Sequence, residues 1–542
     1  MATQPQTTIP IPAPGFLGLN TQDSPVGMPS AFASEADHAV IDDLGRIGSR
    51  GGLRTFTSKN DQENDFNQRA AERVFEFIDI RGKSWLFITT NEKVFLQNED
   101  GTLRDLEAGN AFTPSASTLW WNSTPAALAN IGLPQMVSLD DKCYFFYPQR
   151  NALVFDPTSG SGAPVLSVLA SAQTPAVASK WPSAAQAGSP TAATLGASVA
   201  TAGFGRIFAA GFKGLPNSAA FPTADIDNNS LIVVSSLTVG ADLTWDVTID
   251  VSQFWPNGTD IITALRVHNN YLIVFGQRSI LVYGSKEGES VYNLELIDTI
   301  SGIGCIARDS LAFIGTDLIF LDSTGVRSFA RTLQEKSLPI GNLSLNVQDN
   351  IQQTISQAGS NAGKICAVFN PEESLYTIIF PDSYLTYVFD TRAVLENGSF
   401  KATLWPNMGL LCGQRTISRK TFYGAIGGLY EYTGNYDSTF VSVGTPFGDT
   451  GVPVITPADI TYHTETVPMV KGVLFRYWTH PQSFDQPSRI KMLKQVDMTI
   501  VGGAGINLTL AWRFDYIGTE QQIQLTSGST QSSVFSGMPP AG

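Results

Sequence analysis

Hydrophobic and polar positions along the chain form a unit that recurs seven times. Each copy is an apolar strand of about five residues, a polar turn and a second apolar strand. The copies begin at Trp85, Cys143, Ile207, Tyr271, Leu318, Leu375 and Phe422. The third copy is looser and the last is weaker than the others.

Successive copies start 47 to 64 residues apart, and a four-stranded propeller blade needs about 40–50 residues. The spacing leaves room for one further strand on each side of every hairpin. We therefore predict an all-β fold, a β-propeller of about seven blades, with six as the alternative. One or two β-sandwiches would also give frequent short strands, but a sandwich does not require one hairpin to recur at blade length.

Three segments fall outside the repeats and set the predicted domains. Residues 1–57 form an N-terminal docking arm, 58–445 the propeller, and 446–542 a C-terminal β domain. An Ala/Ser-rich tract near 158–203 has few charges and is typical of a surface insertion. The C-terminal domain contains three strand candidates, at 473–480, 492–501 and 506–516.

Composition narrows the class of protein. With 43% hydrophobic and 15% charged residues, the chain can bury a large core, which excludes wholesale disorder and a coiled coil. The net charge of −14 argues against a protein that grips nucleic acid, because phosphate binding needs clustered Lys and Arg. The N-terminus lacks the features of a signal peptide and no apolar run reaches 18 residues, so we expect no membrane span and synthesis in a cytoplasm.

Residues that could carry chemistry are scattered. The four histidines are not at metal-binding spacing, and the four cysteines (Cys143, Cys305, Cys366, Cys412) are typical of small buried apolar residues. A propeller glycosidase would need paired carboxylates, for which Asp156, Asp322 and Asp390 are candidates at strand ends. Asp is common there because it caps its own backbone. We expect no catalytic, cofactor-binding or metal-binding residues.

Residues 15–56 are the most specific part of the chain. A Gly-punctuated extended segment contains Gly18, Leu19, Thr21 and Gln22, and a β-turn-β element carries Arg46, Arg50, Gly52 and Leu53. We expect Arg46 and Arg50 to be exposed. This arm has no core of its own, so it must dock either on its own domain or on a neighbouring subunit.

The arm resembles the opening of the tail tubular or nozzle proteins of short-tailed (podovirus-type) bacteriophages. The positions that match are Gly18, Leu19, Thr21, Gln22, Gly45, Arg50, Gly52 and Leu53. The C-terminal part is similar to the family's W-x-T…K-x-L strand pair, with Trp478, Thr479, Lys491 and Leu493 at the matching positions.

The resemblance implies a structural virion protein of the tail, made in the cytoplasm of a host bacterium. Such nozzles form a homo-hexameric ring below the portal and adaptor that extends the DNA-ejection channel. The implied partners are other copies of the chain, the adaptor or head–tail connector, a tail fibre or needle protein and, transiently, ejected DNA without specific nucleic-acid binding.

Two other functions stay open: a head–tail connector or fibre-binding tail protein with another ring size, and a tail propeller enzyme acting on surface polysaccharide. A conduit for DNA should keep unpaired basic residues off its wall, because each contact with a phosphate retards sliding. The acidic segments 97–106 and 284–290 are our candidates for such a wall.

Overall fold

The structure is a computed structural model of the 542-residue chain. It describes residues 17–24, 27–29, 31–42, 46–56, 70–90, 94–97, 102–106, 133–148, 150–158, 165–168, 197–212, 228–235, 245–285, 294–335, 341–425, 428–434, 436–438, 470–479, 496–500, 507–513, 520–526 and 533–537.

The described residues form mostly β-strands. Numbered along the chain, the strands are β1 (Ala33–Asp37), β2 (Ala39–Ile41), β3 (Ile47–Ser49), β4 (Leu53–Thr55), β5 (Arg73–Ile78), β6 (Ser84–Thr89), β7 (Val94–Gln97), β8 (Leu103–Asp105), β9 (Gln135–Leu139), β10 (Lys142–Tyr147), β11 (Arg150–Asp156), β12 (Val165–Val168), β13 (Ala197–Gly203), β14 (Arg206–Phe212), β15 (Asn228–Ser235), β16 (Trp245–Asp250), β17 (Ile262–His268), β18 (Tyr271–Gly276), β19 (Ser279–Ser285), β20 (Leu294–Ser301), β21 (Ala312–Ile314), β22 (Asp317–Asp322), β23 (Gly325–Ser328), β24 (Cys366–Asn370), β25 (Leu375–Phe380), β26 (Leu385–Asp390), β27 (Lys401–Pro406), β28 (Leu410–Arg415), β29 (Thr421–Ala425), β30 (Gly428–Tyr432), β31 (Tyr436–Ser438), β32 (Val470–Gly472), β33 (Arg476–Thr479), β34 (Val496–Ile500), β35 (Asn507–Trp512), β36 (Gln521–Thr526) and β37 (Ser533–Gly537). The α-helices are Phe329–Glu335 and Gln348–Ala358, and 3₁₀ turns lie at Arg308–Ser310, Leu345–Val347, Gly359–Lys364 and Pro381–Ser383.

Seven of the sheets that the described strands form lie around one axis, which makes the protein a seven-bladed β-propeller. In chain order the blades are β5–β8, β9–β12, β13–β16, β17–β20, β21–β23, β24–β27, and β28–β30 with β4. The first strand of each blade is innermost: β9 contacts β13, β13 contacts β17, and β24 contacts β28. Each hairpin predicted from the sequence forms the second and third strands of a blade, so the predicted propeller is confirmed.

Burial on both faces explains why these hairpins are apolar throughout. The second strands are packed between neighbouring blades; Phe87 of blade 1, for example, meets Phe145 and Phe155 of blade 2 edge-on at centroid distances of 5.1 and 4.8 Å. Tight turns join the first two strands of several blades. Asn269 and Asn270 both have positive φ, 48° and 62°, as two-residue hairpin turns require.

The N-terminal arm closes the propeller. Strand β4 pairs antiparallel with β30, with Leu53 opposite Tyr432, and is the outer strand of blade 7. The boundary that we predicted at residue 57 therefore needs correction, because Leu53–Thr55 belong to the propeller sheet and Leu53 is fully buried in it.

The arm also joins the C-terminal segment to blade 6. Strand β1 pairs parallel with β27 on one side and antiparallel with β33 on the other, which extends this blade to six strands. The predicted strands at 473–480, 492–501 and 506–516 coincide with β33, β34 and β35.

The prediction that the Ala/Ser-rich tract at 158–203 is a surface insertion also needs correction. Its two ends are not loop: β12 is the outer strand of blade 2, and β13 is the innermost strand of blade 3. Small side chains suit β13, where Ala197 and Ala200 are fully buried. Residues 169–196 lie outside the described residues.

Candidate functional site

The first arm motif binds blade 6 through main-chain contacts. The N–H of Leu19 donates to the Ala402 carbonyl at 2.8 Å, and the Ala33 N–H donates to the Gly18 carbonyl at 2.8 Å. Gly18 has φ of +80°, and a Cβ there would lie 2.7 Å from the Ala402 oxygen. Only glycine allows the arm to approach blade 6 this closely.

Thr21 and Gln22 tie the arm to the helix Gln348–Ala358. The Thr21 N–H donates to the Asn346 carbonyl at 2.9 Å. With its amide oriented to suit these neighbours, Gln22 accepts from the N–H groups of Asp349 and Gln348 at 2.6 and 3.1 Å. A side chain from the arm thereby accepts from two N–H groups at the start of the helix, where several such groups have no partner within the helix.

The second arm motif binds blade 7. Gly52 exchanges two main-chain hydrogen bonds with the chain after β30: its N–H donates to Gly434, and its carbonyl accepts from Thr433, both at 2.8 Å. The Gly51 N–H donates to the Tyr432 hydroxyl at 2.9 Å. A Cβ at Gly51 would lie 2.7 Å from the Tyr432 ring, so glycine is again required.

The two arginines predicted to be exposed, Arg46 and Arg50, differ in their exposure to solvent. Arg46 is exposed and pairs with Asp42 at 2.6 Å. Arg50 is only 4% exposed, which corrects the prediction. Its guanidinium donates to His38 Nδ1 and to the Gly51 carbonyl and lies 5.7 Å from the Trp405 ring centroid. Arg50 therefore holds the turn of the arm on blade 6.

The C-terminal motif is also found at the arm. Trp478 and Thr479 lie in β33, where they are register partners of Glu35 and Ala33. The Trp478 ring has two guanidinium neighbours, Arg476 at 5.7 Å and Arg513 at 4.6 Å from its centroid. The other two motif residues, Lys491 and Leu493, lie outside the described residues.

Two carboxyl groups face this joint. Arg476 of β33 forms an ion pair with Glu35 at 3.1 Å, and it is the register partner of Asp37. Burial raises the pKa of Asp37 to about 6, and the neighbouring Glu35 carboxylate adds to the increase, whereas Arg476 opposes it. The contact between β1 and β33 is therefore sensitive to proton binding.

A second cluster of charges lies at the propeller axis, on the 3₁₀ turn Arg308–Ser310. Arg308 donates to the Leu133 and Pro134 carbonyls beside blade 2, at 2.7 and 3.0 Å, and to the Ser198 carbonyl of blade 3. Asp309 accepts from Arg73 of blade 1 at 2.7 and 3.0 Å. Because this turn precedes blade 5, these bonds cross the axis; we call the group the hub.

Charge pairing keeps the hub carboxylate ionised. Burial alone would raise the pKa of Asp309, but the guanidinium groups of Arg308 and Arg73 outweigh burial and lower the pKa below its usual value. The exposed fractions of the Arg73 and Arg308 side chains are 9% each. Their sequence contexts gave no signal for this role, because their partners in other blades lie more than 100 residues away along the chain.

The candidate glycosidase carboxylates lie in three different blades, each with its own neighbours. Asp156 in blade 2 accepts from the Thr158 N–H at 2.8 Å. Asp322 in blade 5 is buried and accepts from the Thr324 hydroxyl at 2.6 Å. Asp390 in blade 6 pairs with Arg392 at 2.7 Å. These bonds are of the local capping type that strand-end aspartates commonly make.

Other predicted features are only partly described. The acidic segments 97–106 and 284–290 proposed for a lumen wall are only partly described, since residues 98–101 and 286–290 lie outside the described residues. All four cysteines are buried and unpaired in disulfides, and burial raises the pKa of the Cys305 thiol to about 12. In the described part of the chain, no group of three His, Cys, Asp or Glu side chains could hold a metal ion. Neither described helix is long and apolar enough to cross a bilayer.

The strand order defines the class of protein, a seven-bladed β-propeller closed by its N-terminal arm. No family model and no curated protein matches the chain.

Several solved propellers are similar to this chain at low identity. The WD40 domain of Pan2 from Neurospora crassa has a TM-score of 0.36 and 10% identity, over 71% of this chain and 95% of that one. The WD40 propeller of Doa1 has a TM-score of 0.33 and 11% identity, over 70% and 96%. Streptogramin B lyase has a TM-score of 0.35 and 10% identity, over 70% and 97%. At such scores, the strand pairing alone carries the assignment.

Proposed function

We propose that this protein is a structural component of a bacteriophage tail: a nozzle subunit that assembles into a homo-hexameric ring and extends the DNA-ejection channel. The observation that carries the proposal is the arm clasp, which comprises residues 17–24, 31–42, 46–56 and 476–479. Nine residues that match the nozzle family belong to it: Gly18, Leu19, Thr21, Gln22, Arg50, Gly52, Leu53, Trp478 and Thr479.

The clasp supports a role in assembly because it brings both terminal segments to one side of the propeller. Strand β1 lies between blade 6 and β33, so the arm holds the C-terminal segment. A partner bound to either terminal segment would thus be fixed relative to the propeller. This arrangement suits a subunit that must hold partner proteins, in our proposal an adaptor and a fibre or needle protein, in a fixed position relative to its propeller.

The hub also bears on where DNA would pass. Arg308 and Asp309 link blades 1, 2 and 3 across the propeller axis, so the axis of one subunit is no conduit. The conduit in our proposal is instead the space enclosed by six copies. Duplex DNA carries one negative charge per about 1.7 Å, and a net charge of −14 per chain is compatible with a wall that does not retain it.

Native mass spectrometry of the assembled tail tests the proposal. We expect six copies of this chain, arranged with closed cyclic symmetry. Deletion of residues 1–45 removes β1 but retains β4, so the propeller should remain folded while incorporation into tails is lost. Two or three copies per tail, or normal incorporation of the deletion variant, would contradict a hexameric nozzle held by its arm.

The same samples separate the alternatives. A connector or fibre-binding protein would give another ring size by electron microscopy. A tail enzyme would release sugars from host surface polysaccharide, and this release would require a carboxylate such as Asp156, Asp322 or Asp390. Tight binding of the free ring to duplex DNA at about 150 mM salt would favour a DNA-clamping connector instead.

A further inference from the structure

Arg266 is partly buried, and its guanidinium has no hydrogen-bonding partner among the described residues. It lies in β17, the innermost strand of blade 4, and makes no hydrogen bond with any described residue. Its Nε is inaccessible to solvent and unsatisfied. Leaving a buried charged donor unsatisfied is costly, so the position calls for an explanation.

The surroundings do not supply the missing negative charge. The charged side chains of this region are Arg266 itself, Arg73, Arg308 and Lys364 against Glu72 and Asp309. Asp309 already accepts from Arg73 and Arg308. The Glu72 carboxyl faces Arg73 and Lys364. Among these described side chains the balance is two positive charges in excess, and no carboxylate of a described residue forms an ion pair with Arg266.

Arg73 and Arg308 already use most of their N–H donors in hydrogen bonds. Arg308 donates to three main-chain carbonyls and to Asp309. Arg73 donates to two main-chain carbonyls and to Asp309. Arg266, in contrast, keeps all five N–H donors of its planar fork, which matches the geometry of carboxylate and phosphate groups.

Aromatic side chains lie beside the Arg266 guanidinium. Arg266 lies 5.4 Å from the centroid of the Phe313 ring in β21, the innermost strand of blade 5. The His268 ring lies 5.5 Å from the same ring. Phe313 is 44% exposed, so the place where Arg266 and Phe313 meet is open to solvent.

We propose that Arg266 binds a small oxyanion, a phosphate or a carboxylate, between the innermost strands of blades 4 and 5. The anion accepts from the free guanidinium fork and offsets the excess positive charge of the hub. Burial lowers the pKa of Arg266, and the Asp309 carboxylate opposes this effect without cancelling it. This site is independent of the proposed role in a tail.

Thermal unfolding of the full chain with inorganic phosphate tests the proposal, with sodium chloride at equal ionic strength as reference. A ligand that binds only the folded state raises Tm with its concentration. We expect phosphate to raise Tm for the wild type and for Arg278→Met, an exposed arginine of the same blade, but not for Arg266→Met. Sodium acetate in parallel separates a carboxylate from a phosphate.

Isothermal titration of the wild type with phosphate provides a readout that does not depend on any variant. We expect about one site per chain, and weaker binding by Arg266→Lys, which keeps the charge but loses the planar fork. The absence of a response to either anion beyond that to chloride overturns the proposal. So does an equal response in Arg266→Met. Neither result would bear on the number of copies in a tail.

Discussion

The Gly51 N–H donates to the Tyr432 hydroxyl at 2.9 Å, and this hydroxyl donates in turn to Glu373 Oε2 at 3.0 Å. One side chain of blade 7 thus connects the arm with the turn between the first two strands of blade 6. The Tyr432 ring also stacks on Trp405, with centroids 5.7 Å apart, and Trp405 lies beside Arg50. These contacts link the arm to both blades that it closes.

Replacement of Tyr432 by phenylalanine should therefore weaken the closure. It leaves the Gly51 N–H and the Glu373 carboxylate without this partner, and an unsatisfied buried group costs about 1–3 kcal/mol. We expect a decrease of this size in the free energy of unfolding, measured by urea denaturation. Tyr271→Phe, at an exposed tyrosine of blade 4, is the matched control. Equal stability of the two variants would show that the hydroxyl does not hold the arm.

The joint between β1 and β33 should respond to pH through Asp37. Its folded pKa of about 6 lies above the value of about 3.9 in an unfolded chain. The folded state therefore binds more protons between these values, and Asp37 adds stability as pH falls from about 6 to 4. At pH 7.5 the carboxylate is charged in both states and its burial is unfavourable.

Asp37→Asn should remove this dependence. We expect the variant to be more stable than the wild type at pH 7.5, by about 1 kcal/mol or less because the group is only half-buried and solvent screens it. The advantage should disappear near pH 4. Chemical denaturation across this pH range measures both effects, with Glu295→Gln on the outer strand of blade 4 as control. A constant difference between wild type and variant at all pH values would contradict the assignment to Asp37.

The hub should be among the most sensitive positions of the propeller. Asp309→Asn leaves Arg73 and Arg308 without their shared carboxylate, and removing one partner of a buried ion pair costs about 3–5 kcal/mol. We expect a loss of that order in guanidinium denaturation.

A double-mutant cycle distinguishes the ion pair from general damage to the hub. Replacing both Arg73 by Met and Asp309 by Leu should cost less than the sum of the single replacements. Strict additivity would mean that the pair does not couple the two blades.

Gly18 provides a prediction about the arm with an internal control. Gly18→Ala places a Cβ 2.7 Å from the Ala402 oxygen at a positive φ, a strain of about 1–3 kcal/mol. We expect the arm to separate from blade 6 and to be cut more rapidly by a protease. Gly27→Ala should behave as the wild type, because its nearest atom would be 4.0 Å away. Equal cleavage of the two variants would contradict a close approach at Gly18.

The sequence predicts the propeller well because the signal is local. The apolar residues of each repeated hairpin indicate that its strands are buried on both faces. The spacing between successive hairpins indicates the length of one blade. The arm motif was also recognisable, since Gly18, Gly52 and Leu53 stand in a distinctive order. Its attachment to blades 6 and 7 was not, because β4 pairs with a strand more than 370 residues away.

The features that the sequence analysis predicted wrongly or missed also have physical explanations. Arg50 was expected on the surface because arginine usually is, but Trp405 and His38 supply the partners that allow its burial. The small residues of β13 had the composition of a loop, whereas an innermost strand crowded by its neighbours also requires small side chains. Arg308 and Asp309 stand in an unremarkable turn whose partners come from three other blades.

The strands of the N-terminal arm are synthesised long before the strands with which they pair. The ribosome delivers β1 and β4 near the beginning of the chain, but their partners β27 and β30 emerge only after residues 401–432. At roughly 5–20 residues per second, the arm waits for about half a minute with Leu19 and Leu53 uncovered. Blades can stack while synthesis proceeds, but ring closure must wait until β30 has been made. A nascent chain that stalls before blade 7 is therefore an open propeller whose N-terminal arm exposes hydrophobic side chains.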